Sequence, residues 1–173
     1  MFRLVQLALV SAVFAGLMTT SPVLAQTPTG QAEPVGLRPS EVAEWIKSLG
    51  AETVGPVQTL SGQTWFDVTD GGLTWAVFFY ACRWDTCEDV QFTADFAGEG
   101  LSEARASQWN RERRFLKAVW VPAGADGRAR MQAQYDVVLS PGQGVGQLSE
   151  ATAMWLDQLD DFAAHVGAAQ GTR

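Results

Sequence analysis

The sequence predicts an α+β domain: an antiparallel sheet of five to six strands with helices packed on one face. Three observations carry this reading. Apolar residues recur with helical period near both ends of the chain, they alternate with period two through the middle, and the middle segments are joined by short turns.

Residues 40–50 (SEVAEWIKSLG) place Val42, Trp45, Ile46 and Leu49 on one helical face, with Ser40 as cap and Gly50 as terminator. From Trp65 to Thr69 the period is two, and Asp70-Gly71-Gly72 signals a hairpin. Residues 73–81 (LTWAVFFYA) are apolar on both faces, which predicts a central, fully covered strand. Val90, Phe92, Ala94 and Phe96 alternate with Asp89, Gln91, Thr93 and Asp95, giving a strand with one dry face and one polar face. Residues 102–110 form a short helix. Strands over 114–121 and 129–139 then make a hairpin around a turn at 125–127. The glycine-rich stretch 141–146 is a loop. A final helix starts near Ser149, with Ala151, Trp155, Leu159, Phe162 and Val166 on one stripe and Asp157, Asp160 and Asp161 turned outward. Trp45 and Trp155 are both expected in the core.

The chain ends frame a single domain over 38–169, preceded by a signal peptide over 1–25, a flexible leader over 26–37, and followed by a tail over 170–173. Arg3 opens the signal, an apolar run covers residues 4–18, and VLA ends at Ala25, the layout of a cleavable secretory segment. Export to the periplasm makes disulfides chemically available. Removing Arg3 from 12 basic residues leaves 11 against 19 acidic ones, a net charge of −8. Such a chain gains little from phosphate contacts, which argues against nucleic acid as partner. No second apolar stretch could span a membrane, so none is expected to hold the mature chain.

Cys82 and Cys87 are the only cysteines, within CRWDTC. They could form a thiol–disulfide redox centre, part of a metal site, or a brace. Dithiol oxidoreductases use a C-x-x-C at a helix start, whereas this pair is spaced by four residues at the end of a strand. A zinc site needs about four ligands, and the chain has one histidine, His165. An even cysteine count in an exported chain favours the brace, a disulfide closing a small loop between two strands. No metal or other cofactor is expected.

No catalytic set emerges. His165 lies near a helix end, no serine sits in a G-x-S-x-G elbow, and the 141–146 loop lacks the lysine of a phosphate-binding loop. The carboxylates on or beside strands, Asp67, Asp85, Glu88, Asp89, Asp95 and Asp136, single out no acid–base pair. Arg111, Arg113, Arg114 and Lys117 form a basic patch that Trp109 could anchor. It could capture an acidic partner segment or pair with the acidic last helix. Trp84, inside the cysteine loop, is the tryptophan expected to be most exposed. A protein segment, a small ligand or a second copy of the chain are the candidate partners.

Residues 74–96 (TWAVFFYACRWDTCEDVQFTADF) and 108–120 (QWNRERRFLKAVW), followed by a DG turn, resemble the YbjN domain family, in its exported two-cysteine branch, over about residues 38–166. The resemblance implies an α+β fold similar to type III secretion chaperones and a role in regulating sensory transduction. It implies no catalytic residue. The signal peptide sets this chain apart from cytoplasmic members.

Overall fold

The computed structural model describes residues 36–124 and 127–167. The signal-peptide segment, most of the leader and the 170–173 tail lie outside them. The order is helix α1 (Pro39–Ser48), strands β1 (Thr53–Val54), β2 (Gln58–Leu60), β3 (Gln63–Asp70), β4 (Leu73–Arg83) and β5 (Thr86–Ala97), helix α2 (Glu103–Glu112), strands β6 (Lys117–Val121) and β7 (Arg130–Val138), then helix α3 (Ser149–Val166). All pairings are antiparallel, in the order β1-β3-β4-β5-β7-β6, with β2 beside β3.

The sheet thus has seven strands rather than five or six. The two unexpected ones, β1 and β2, are only two and three residues long and largely exposed, so they carry no alternation to read. Gly71 and Gly72, both at positive φ, form the two-residue turn between β3 and β4.

One sheet face holds the core. Phe66 pairs with Val77, Val77 with Phe92, and Phe92 with Tyr135 in one row across four strands. Ala94, Ala133 and Ala118 form another. The helices cover this face: α3 lays Trp155 against Trp75 and Phe92, and Phe162 against Phe96. Small alanines in the second row fit beneath such large side chains. α1 buries Val42 and Ile46, while Trp45 is half-buried and Leu49 is exposed, because the helix ends at Ser48 before the stripe is complete.

The other face of the sheet is bare of described helices. It carries Trp65, Phe78, Gln91 and Asp136 in one row and Asp67, Ala76, Thr93, Gln134 and Lys117 in the next. The expectation that β4 is covered on both sides therefore fails on this side, where Tyr80 is 40 % exposed.

Leu37, expected at the end of a flexible leader, is buried and its backbone pairs both ways with Cys87. Gly36 makes that approach possible: at φ +105°, a Cβ there would lie 2.4 Å from the Cys87 carbonyl oxygen. The folded domain therefore includes residues 36 and 37.

Candidate functional site

Two regions gather the residues singled out above: the tip of the β4–β5 hairpin and the α2–β6 corner. At the tip, Cys82 and Cys87 face each other in register and form a disulfide. Arg83 pairs with Thr86, leaving Trp84 and Asp85 as a two-residue turn. Two further ties hold this turn to the domain. Asp85 pairs with Arg38 at the start of α1, and Arg38 also binds Glu41. The Cys87 backbone pairs with Leu37. The Arg38 hydrogen bond keeps the Asp85 carboxyl below the usual carboxylate range.

Trp84 is 102 % exposed at φ +61°. That backbone region suits glycine, and a side chain there costs about 1–2 kcal/mol. A tryptophan held in an unfavourable conformation, with its indole wholly in water, contributes nothing to the fold. It is one of the residues bordering a shallow recess whose lining also includes Val57, Thr59, Thr64 and Pro39.

The α2–β6 corner resolves the basic segment differently. Trp109 is 2 % exposed, edge-on to Phe162 at 4.9 Å, and its indole N–H donates to the Leu116 carbonyl at 2.9 Å. It is a core residue and offers no surface to a partner. Arg113 stacks on its ring and pairs with Asp161 at 3.1 Å, the intramolecular alternative weighed from the sequence. Arg114 lies over Phe115, Arg111 is exposed, and Lys117 points to the open sheet face, where it pairs with Asp136. The basic residues therefore diverge and form no single patch. His165 closes the corner, its Nε2 3.1 Å from the Arg105 carbonyl and its ring against Trp109.

Asn110, which no sequence pattern singles out, also belongs to this corner. Its Nδ2 donates to the Ala118 carbonyl at 2.9 Å, and its Oδ1 accepts from the Ala118 N–H at 2.8 Å. One amide thus satisfies both outward groups of an edge-strand residue, as a neighbouring strand would, and blunts the edge. With the Trp109–Leu116 hydrogen bond, this clamps α2 to β6, while Arg113 ties the same segment to α3 through Asp161. Asn110→Ala should cost about 1–2 kcal/mol in urea unfolding; an unchanged midpoint would contradict the clamp.

On the open face, the Tyr80 hydroxyl donates to Gln91 Oε1, and Gln91 Nε2 and Lys117 both donate to Asp136. Burial works to raise the Asp136 carboxyl, but these two donors and the Lys117 charge outweigh it and hold the group low. Burial, with Asp136 adding to it, raises Tyr80. Among the described residues, no group of three or more His, Cys, Asp or Glu side chains could hold a metal ion. No described helix is long and apolar enough to cross a membrane.

Fold and site together define a two-layer α+β domain with a disulfide-braced hairpin tip at one end of its two central strands and one sheet face bare of described helices. The chain belongs to the YbjN family, whose model, described as "Putative bacterial sensory transduction regulator", matches residues 38–168. No curated protein and no solved structure matches the chain.

Proposed function

We propose that the protein is a non-catalytic, chaperone-like binding module that works in the periplasm after loss of residues 1–25. It engages a protein segment through the hairpin tip. The observation that carries this reading is Trp84: fully exposed, in a backbone conformation that disfavours it, on a turn tied down by a disulfide, an ion pair and a backbone pair. Backbone strain retained on a rigid element is a mark of function rather than packing. Preorganisation of this kind lowers the ordering cost of binding, and tryptophan is among the strongest interface anchors. The family description as a regulator supports a binding role, and the disulfide supports an oxidising compartment.

The test separates binding from folding. Trp84→Gly should leave stability unchanged or raise it by up to about 1 kcal/mol, because the backbone cost is relieved. A photo-crosslinking residue at position 84 should give a discrete protein adduct in the periplasm, and one at the exposed Gln108 should give none. A destabilised Trp84→Gly variant, or the same adducts from both positions, would refute the reading.

A further inference from the structure

The open sheet face is a second surface, separate from the hairpin tip, and its chemistry is specific. Two hollows lie on it. One, of about 480 Å³, is walled by Leu60, Trp65 and Phe78, with Gln63 and Asp67 beside them. The other, of about 460 Å³, is lined by Tyr80, Asp89, Gln91, Asp136 and Val138. Trp65 and Phe78 stack with ring centres 6.1 Å apart, so they present one continuous aromatic wall. Phe78 and Tyr80 are two residues apart on β4, which puts the hollows side by side. Each therefore joins an aromatic ring to a carboxylate.

The charge of the face is one-sided. By strand register, Asp67, Asp89, Asp95 and Asp136 point to it, against Lys117 and Arg130. Lys117 is already neutralised by Asp136. An aromatic wall beside a carboxylate is the arrangement that attracts a guanidinium or ammonium group, through the ring quadrupole and the charge together. An acidic or phosphorylated ligand would be repelled. A neutral saccharide could stack on the rings but would gain nothing from the excess of carboxylates.

We propose that this face holds a positively charged, extended polypeptide segment. One Lys or Arg side chain lies on the Trp65–Phe78 wall near Asp67, and another enters the hollow of Tyr80 and Asp89. The partner segment is thus basic, complementary to the acidic domain, and it lies across the strands rather than at the sheet edge that Asn110 blunts.

The experiment titrates the mature protein with three fluorescein-labelled probes at low salt: a peptide of alternating Arg and Gly, its Glu counterpart, and a neutral glucan hexasaccharide. Polarisation should report binding of the Arg peptide alone, weakening as salt shortens the Debye length. Trp65→Ala and Asp89→Asn should each reduce that affinity about tenfold, or about 1.4 kcal/mol. Trp84→Gly should leave it unchanged, which keeps failure here distinct from failure at the hairpin. Asp89→Asn is a near-isosteric change at a partly exposed strand position, so it stands as the folding-safe variant beside Trp65→Ala. Equal binding by wild type and both variants would overturn the proposal, as would preference for the hexasaccharide or no binding of any probe.

Discussion

Trp155→Ala is expected to lower the unfolding free energy by about 3–5 kcal/mol. Trp155 is fully buried and touches Trp75 at 6.0 Å and Phe92 at 5.9 Å, ring centre to ring centre. It is the point where α3 meets the middle of the sheet. Neither β4 nor β5 can close the gap, because each is fixed by ladder pairing on both sides, so the truncated site keeps a cavity. Urea unfolding followed by circular dichroism measures the loss. The same substitution at Trp45 should cost clearly less, since that ring is only half-buried. Equal effects at the two positions would contradict the packing described.

Cys82→Ser is expected to cost about 2 kcal/mol under oxidising conditions and almost nothing in excess reductant, because a six-residue ring removes that much loop-closure entropy from the unfolded chain. The loss should also reach beyond the loop. Cys87 is 2 % exposed and its backbone holds Leu37, so loosening the hairpin loosens the entry to α1. Thermal melts of wild type and variant, with and without reductant, check this. A difference that persisted at full size in reductant would show that the serine acts through packing instead.

Much of this fold is legible because local pattern and tertiary environment agree. The stripe ending in Phe162 and Val166 is buried on α3 as its period requires. Asp89, Gln91, Thr93 and Asp95 alternate onto the polar face of β5 as read. The misses have a common cause: the pattern shows which residues are apolar, not what covers them. β4 is apolar on both sides, yet only its odd-numbered side meets helices, leaving Phe78 and Tyr80 on the open face. Trp109 sits in a very polar segment, and nothing local shows that Phe162 and Leu116 enclose it.

The candidate site was half legible. The cysteine spacing led to the brace, and the loop position of Trp84 to its exposure. The basic residues misled, because four cations close in sequence leave a helix and enter a strand in different directions. Asn110 gave no warning: its role depends on the backbone of Ala118, eight residues away, across a corner that no period predicts.

The binding role proposed for the hairpin tip requires the Cys82–Cys87 pair to be a brace for the hairpin and not a reactive centre. Its reduction potential, measured by equilibrating the purified protein against graded thiol buffers, tests this most directly. A value below about −300 mV is predicted, as for structural disulfides; one between about −120 and −270 mV, the range of dithiol oxidoreductases, would contradict it.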